Sequence, residues 1–130
     1  MATPKLTDRA GEKIAWLTTV TPKGRPAPRP VWFVLEGDDI ILFSEPGTAK
    51  LRHIAANPDV SFHLNSDEHG GSILVVSGKA HVEDGKASEA PGFRDKYASH
   101  YAGAGFQTPE AFDTAYSVRI RVVPERSWGF

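Results

Sequence analysis

The residues best suited to chemistry lie in one short stretch, Ser44–Arg52, which reads Ser-Glu-Pro-Gly-Thr-Ala-Lys-Leu-Arg. A hydroxyl and a Pro-Gly turn precede a predicted helix whose beginning carries Thr48, Lys50 and Arg52. The free N–H groups and the dipole of a first helical turn favour a bound anion, and these side chains would add a hydroxyl, a point charge and a forked donor. The stretch therefore indicates a phosphate site, with a capped helix and solvated basic side chains as the alternative.

A second stretch, Gly24–Phe33, has the features of a wall for a flat ring. Prolines at every second position from 26 to 30 give a stiff, extended backbone with few N–H donors, and Trp32 and Phe33 follow them. Such a surface suits a ring whose polar edge is recognised by main-chain groups. An edge strand with Trp32 or Phe33 in the core is the alternative interpretation.

The sequence contains no recognisable set of catalytic side chains. It has no cysteine, which excludes disulfides, thiolate nucleophiles and cysteine-ligated metals. Ser44 lacks the setting of a nucleophile elbow, and the five histidines lack the spacing of a zinc site. Catalytic residues therefore stay unassigned and no metal site is predicted. Near a predicted helix, Tyr97, Tyr101 and Phe106 could line a substrate mouth or simply pack.

The elements that must position these residues are predominantly strands. The predicted strands are Lys13–Val20, Ala27–Glu36, Ile40–Phe43, Val60–Leu64, Ser72–Glu83 and Tyr116–Val123. Helices are predicted over Ala49–Ala56, with Thr48 as N-cap, over part of Lys86–Tyr101, and from Pro109. The first three strands would form a meander with the prolines at an edge, and Gly78 predicts a bulge. Because helices do not alternate with the strands, we expect a mainly β fold, an antiparallel barrel of about six strands with short helices.

Composition restricts the class of protein further. At 130 residues the chain is expected to form a single domain, residues 1–130. Its net charge of -1 argues against a general nucleic-acid binder, which usually has a clear basic excess. The longest apolar run is the five residues Val31–Leu35, so no membrane span is expected. The charged N-terminus does not resemble a signal peptide, and a cytoplasmic location is the default expectation.

The order of these motifs resembles the pyridoxamine-phosphate-oxidase-like split-barrel superfamily, and in particular its actinobacterial branch of F-420-dependent or F-420-binding oxidoreductases. The motifs are Gly-Arg-Pro, Pro-Val-Trp-Phe, a serine ending the third strand, Thr-Ala-Lys-Leu-Arg, Asn-Pro-x-Val and Val-Pro-x-Arg-x-Trp-Gly-Phe. The resemblance covers nearly the whole chain and implies the FMN-binding type of split β-barrel. No counterpart of the pyridoxal-phosphate-binding Arg and His residues is apparent, so vitamin B6 chemistry is not expected.

The resemblance also implies a homodimer with cofactor sites at the subunit interface. The cofactor ring would lie along the second and third strands, bordered by Arg29, Pro30, Val31 and Trp32. Its phosphate would be held by Ser44, Thr48, Ala49, Lys50 and Arg52. Trp128 is expected to approach the cofactor of the partner subunit. In such a site the cofactor performs the redox chemistry, while the protein positions it beside a small-molecule substrate.

Two cofactors fit this resemblance, coenzyme F-420 and, as the alternative, FMN. F-420 carries a phospholactyl-oligoglutamate tail, and the basic residues Lys23, Arg25 and Arg29 could bind its carboxylates, which favours F-420. The expected function is hydride transfer between F-420 and a small organic substrate. An FMN-binding oxidoreductase and a non-catalytic F-420-binding protein are the alternatives, and nothing in the sequence identifies the substrate.

Overall fold

Seven β-strands and three α-helices make up the framework in the computed structural model, which describes residues 5–130. The strands are β1 (Ala15–Val20), β2 (Pro26–Val31), β3 (Val34–Glu36), β4 (Asp39–Ser44), β5 (Asp59–Leu64), β6 (Leu74–Glu83) and β7 (Val118–Gly129). The helices are α1 (Ala49–Ala56), α2 (Phe93–Tyr97) and α3 (Pro109–Ala115), with 3-10 turns at Leu6–Arg9 and Ala87–Glu89. None of the helices in this part of the chain has the length and apolarity needed to cross a bilayer.

The strands form one antiparallel sheet that closes on itself. Their order is β2-β1-β5-β6-β7-β4-β3, so β2 and β3 lie at opposite ends of the sheet. Only Trp32 and Phe33 separate these two strands along the chain. Because consecutive Cα atoms are about 3.8 Å apart, the sheet must curl until its two ends come together. The predicted split barrel is therefore confirmed, with seven strands rather than about six.

The prediction of one continuous strand over Ala27–Glu36 is wrong, and so is the meander that it implied. β2 pairs with β1, whereas β3 pairs with β4, with Val34 opposite Ile41. The break falls at Trp32 and Phe33, where the chain passes from one end of the sheet to the other. Its cause is a contact distant in sequence, because the Phe33 N–H donates to the hydroxyl of Tyr97 at 2.8 Å instead of to a neighbouring strand.

Tyr97 and its neighbour Lys96 hold this break in place. The Tyr97 hydroxyl donates to the carbonyl of Lys13 at 2.8 Å, and its ring stacks on Trp32 with 4.4 Å between centroids. The Lys96 ammonium donates to the carbonyl of Phe33 at 2.7 Å and lies 3.6 Å from the centroid of the Phe33 ring. Burial, together with the charge of Lys13, lowers the pKa of Lys96 to about 8. The orientation of Trp32 thus depends on the segment around α2.

Two other predictions about the strands are confirmed. The prolines of β2 lie on an edge strand, where a missing N–H donor costs no ladder hydrogen bond. β6 has a register shift between Ser77 and Gly78, as the bulge prediction requires. A Cβ at Gly78 would lie 2.3 Å from the carbonyl oxygen of Val123, so the close approach of β7 permits only glycine there.

Two hydrophobic clusters lie on the two faces of β3 and β4. The first fills the barrel, where Phe33, Phe62 and Leu42 are almost fully buried and Ile54 of α1 closes one end. The second lies outside the barrel and packs the helical segment that follows β6 against the sheet. Its buried members are Val34, Ile41, Phe43, Ala87, Ala90, Phe93, Tyr97, Tyr101 and Phe112. This second cluster positions α2 and α3 beside the break between β2 and β3.

Candidate functional site

A pocket of about 370 Å³ lies where β2, the end of β4 and the start of α1 meet. We call it the cationic pocket. It is lined by Arg29, Ser44, Glu45, Thr48, Ala49, Lys50 and Tyr116. The end of β4 and the start of α1 therefore converge on one cavity.

Arg29 and Lys50 bring two positive charges to this pocket without neutralising partners. Neither side chain forms an ion pair with a carboxylate anywhere in residues 5–130. The Arg29 Nη1 atom is buried and has no hydrogen-bond partner, while Nη2 donates to the carbonyl of Ala27 at 3.2 Å. Burial lowers the pKa of Arg29, and burial followed by the charge of Arg29 lowers the pKa of Lys50. An anion bound between them would satisfy both groups.

The beginning of α1 adds polar groups of the same character. Thr48 occupies the N-cap position with extended backbone angles, but its hydroxyl makes no capping hydrogen bond. It lies 3.0 Å from the Ser44 hydroxyl, which donates to the carbonyl of Glu45 at 2.8 Å. The first turn of α1 contains no acidic residue, so its N–H groups and the positive end of its dipole are not compensated by a carboxylate of that turn.

A second pocket, of about 210 Å³, adjoins the first, and we call it the aromatic pocket. It is lined by Pro30, Val31, Trp32, Phe43, Lys50, Ala104, Phe106, Phe112 and Tyr116. The two pockets share Lys50 and Tyr116, so they form neighbouring parts of one cleft. Phe112 stacks on Trp32 and on Tyr116, with centroid distances of 5.3 and 4.7 Å. The cleft thus has a charged end and an aromatic end, which matches a planar molecule with an anionic tail.

Tyr116 and Glu45 stand at the junction of these two ends. Tyr116 follows α3 and is half-buried, and its pKa is raised first by burial and then by the negative charge of Glu45. The same carboxylate partly opposes the lowering of the Lys50 pKa. Glu45 is therefore close enough to influence the electrostatics of both pockets.

Most, but not all, of the residues predicted for the site are brought together. Arg29, Ser44, Thr48, Ala49 and Lys50 line the cationic pocket, and Pro30, Val31 and Trp32 line the aromatic pocket. Arg52 lines neither pocket, because it turns back and donates to the carbonyl of Gly47 at 2.8 Å. Trp128 lies on β7 opposite Val75, is 56% exposed and lies outside both pockets.

Several lining residues were not assigned from the sequence. Glu45 lies within the stretch that predicted the phosphate site, but a carboxylate is not a residue that anion recognition suggests. Tyr116 and Phe112 come from the segment around α3, and no local pattern links that segment to Ser44–Arg52. Of the three aromatic residues considered for a substrate mouth, Phe106 lines the aromatic pocket, whereas Tyr97 and Tyr101 are buried in the outer cluster.

Comparison with known families and structures identifies the family and the fold of the chain. The family described as pyridoxamine 5'-phosphate oxidase matches residues 3–128. An F-420 reductase of known structure is 25% identical, with a TM-score of 0.72 over 95% of this chain and 97% of that one. A conserved hypothetical protein from Mycobacterium tuberculosis (20% identical, TM-score 0.71, 99% and 85% covered) and an FAD-binding protein from Mesorhizobium loti (18%, 0.66, 97% and 94%) share the fold. The search of curated proteins finds no match.

Proposed function

Because this chain belongs to the pyridoxamine 5'-phosphate oxidase family, we propose that it is an oxidoreductase that binds coenzyme F-420 and transfers hydride between this cofactor and a small organic substrate. The observation that carries the proposal is a pair of half-buried cations, Arg29 and Lys50, that form no ion pair within the described residues and lie at one end of a cleft whose other end is aromatic. The F-420 reductase among the structural relatives and the FAD-binding relative support a cofactor of the flavin type.

The residues of the cationic pocket fit the phosphate of such a cofactor. Within residues 5–130, Nη1 of Arg29 has no hydrogen-bond partner and the Lys50 ammonium forms no ion pair, so both can donate charge-assisted hydrogen bonds. The hydroxyls of Ser44 and Thr48 and the first N–H groups of α1 would complete the set of donors. In the aromatic pocket, Pro30, Val31 and Trp32 would border the ring and exclude water from one of its faces.

The bound cofactor would supply the two-electron chemistry, which no side chain of this chain can supply. Reduction of a substrate would then require a hydride, which the cofactor would supply, and a proton. The role of the protein is to fix the ring against β2 through the phosphate contacts of Arg29 and Lys50. Trp32 is itself held by Tyr97 and Phe112, so the wall facing the ring is rigid.

The turn between β1 and β2 provides a place for the acidic tail of F-420. Lys23 and Arg25 are exposed in this turn, and Arg25 lies four residues before Arg29 along β2. At the rise of a strand this separation is roughly 13 Å. A tail that leaves the phosphate at Arg29 and follows β2 would meet these two basic side chains.

We also propose that the protein is a homodimer with the cofactor at the subunit interface. Among the described residues, four large apolar side chains are exposed, namely Val82, Val123, Trp128 and Phe130. Val123 and Trp128 lie opposite Lys79 and Val75 on the face of the sheet that is turned away from the barrel core, and exposed apolar side chains of this kind are typical of a protein–protein contact. A dimer would cover this surface and would allow Trp128 to approach the cleft of the partner subunit. A monomeric mass by light scattering at micromolar concentration would contradict this arrangement.

FMN is the second candidate, because the two cations of the pocket also suit a phosphomonoester. The test is a fluorescence titration of the purified protein with F-420, FMN and riboflavin. F-420 binding in the micromolar range or tighter, with weaker FMN binding, supports the proposal, and a preference for FMN transfers the function to a flavin enzyme. Binding of none of the three would refute both. Hydride transfer to candidate substrates, followed by the absorbance of the cofactor, distinguishes an enzyme from a non-catalytic binding protein.

A further inference from the structure

The cationic pocket contains one carboxylate, that of Glu45, in addition to its two cations. Glu45 directly follows β4, and its carbonyl accepts a hydrogen bond from the Ser44 hydroxyl, which fixes the backbone at this point. Its side chain lines the pocket together with Lys50 and Tyr116, although no Glu45–Lys50 contact within 4.0 Å exists in the described chain. Glu45 therefore lowers the net positive charge of the pocket, but within the described chain it forms no ion pair with Arg29 or Lys50.

The effect of Glu45 is visible on two neighbouring groups. Its negative charge raises the pKa of Lys50 against the larger lowering by burial and by Arg29. It also raises the pKa of Tyr116, after burial, which is the larger cause. Two positive side chains and one negative side chain leave the pocket with a single net positive charge, to which the start of α1 adds about half a charge.

The negative charge of Glu45 acts differently on two classes of phosphate. A phosphodiester carries one negative charge at neutral pH, whereas a phosphomonoester carries roughly 1.5 to 2. The negative charge of Glu45 repels the monoester, which carries the larger negative charge, more strongly than it repels the diester. The phosphate of F-420 joins two carbon chains and is a diester, whereas the phosphate of FMN is a monoester.

We propose that Glu45 is a specificity-determining residue that favours a phosphodiester cofactor over a phosphomonoester in the cationic pocket. This inference rests on the proposed function, since it assumes that Arg29 and Lys50 bind the phosphate. It goes further by assigning the choice between F-420 and FMN to the charge of one side chain. Glu45 is exposed at the mouth of the pocket, so solvent screens its interaction and the discrimination is moderate rather than absolute.

The test is the variant Glu45→Gln, which removes the charge and keeps the shape of the side chain. Affinities for FMN, F-420 and riboflavin are measured by fluorescence titration at low and at high salt. We expect FMN to bind about three- to tenfold more tightly, while F-420 changes less and riboflavin, which has no phosphate, does not change. High salt should reduce the gain for FMN. Glu68→Gln in the exposed loop after β5 removes the same charge far from the pocket and is the matched control.

The outcomes separate this inference from the proposed function. If the unaltered protein binds one of the phosphorylated cofactors and Glu45→Gln shifts FMN and F-420 equally, the specificity role is refuted while the site stands. Weaker FMN binding by the variant would refute it as well. If the unaltered protein binds neither cofactor, the proposed function fails, and the role of Glu45 fails with it.

Discussion

Replacing Lys50 with methionine should have opposite effects on the empty protein and on its complex with a phosphorylated cofactor. Methionine keeps most of the length of the side chain that lines both pockets and removes only the ammonium group. In the empty protein this ammonium has no carboxylate partner, and burial and Arg29 both disfavour its charge. The free energy of unfolding of Lys50→Met should therefore be unchanged or slightly higher at neutral pH.

The loss of affinity follows from the contact that Lys50 would make. A hydrogen bond to a charged group contributes about 1.5–3 kcal/mol, which corresponds to a loss of roughly 12- to 150-fold in the affinity for F-420 or FMN. Riboflavin binding should change by less than about twofold, because it offers no phosphate. The contribution of Lys50 to stability also depends on pH. The pKa of Lys50 is lower in the folded than in the unfolded protein, so its unfavourable contribution disappears as the pH rises toward 10.5.

Two kinds of measurement on Lys50→Met and a matched control test this prediction. Titrations with F-420, FMN and riboflavin give the affinities, and urea denaturation gives the free energy of unfolding. Lys86→Met is the matched control, because Lys86 is exposed in the segment after β6 and lies outside both pockets. Unchanged F-420 and FMN affinity in Lys50→Met would refute the phosphate assignment. A large loss of stability without a cofactor would refute the argument that the Lys50 charge is uncompensated.

Three further predictions concern the framework that holds the site. Tyr97→Phe should lower the free energy of unfolding by about 1–3 kcal/mol in urea denaturation, because the buried N–H of Phe33 loses its acceptor; no loss would contradict this role. The pKa of Lys96 is about 8 in the folded protein, below its usual 10.5, so the free energy of unfolding should rise between pH 8 and 10.5. In melting experiments Lys96→Met should reduce this rise, and an identical pH profile of the variant would refute the prediction. Gly78→Ala should lower the melting temperature, since its Cβ would lie 2.3 Å from the carbonyl oxygen of Val123, and an unchanged value would show that the bulge can relax.

The strands could be located from the sequence because alternation and turn residues are local signals. β1, β5 and β6 and the turn at Gly24 are close to the prediction, and Gly24 adopts a φ of +78°. The break at Trp32 and Phe33 was not predictable in the same way, since no glycine or turn residue marks it. The hydroxyl that terminates β2 belongs to Tyr97, 64 residues further along the chain.

The end of β7 could not be predicted from local sequence signals either. The last strand was predicted to end at Val123. In the structure β7 continues to Gly129, and Pro124 lies opposite Gly78 at the register shift between β6 and β7. The extra residue of this bulge is Glu125 of β7, next to Pro124, because Ser77 pairs with Arg126 and Gly78 pairs with Pro124. Gly78 was noticed in the sequence, but its pairing with Pro124 depends on the register of two distant segments.

The two pockets of the candidate site also differ in how far the sequence predicts them. The cationic pocket is mostly built from one continuous stretch, Ser44–Lys50, so its chemistry could be predicted from residue types and spacing. Arg29 joins it through β2, and its contribution is visible only because its Nη1 atom is buried without a partner. The aromatic pocket depends on Phe112 and Tyr116, which reach the cleft through the packing of α3. Residues of such ordinary type carry no sequence signal for a binding site.

The position of the cleft follows from the way in which the barrel closes. β2 has β1 on one side, and its prolines limit the pairing of its other edge, so the two ends of the sheet meet without being joined by a ladder. The cleft lies at this seam, with Arg29, Pro30 and Val31 from β2 on one side and Phe43 and Ser44 from β4 on the other. A ladder across the seam would use the main-chain groups and the space that a planar ligand needs. Trp32 and Phe33 lie between β2 and β3 and pair with neither neighbouring strand. This break in the strand therefore also leaves room for the proposed cofactor.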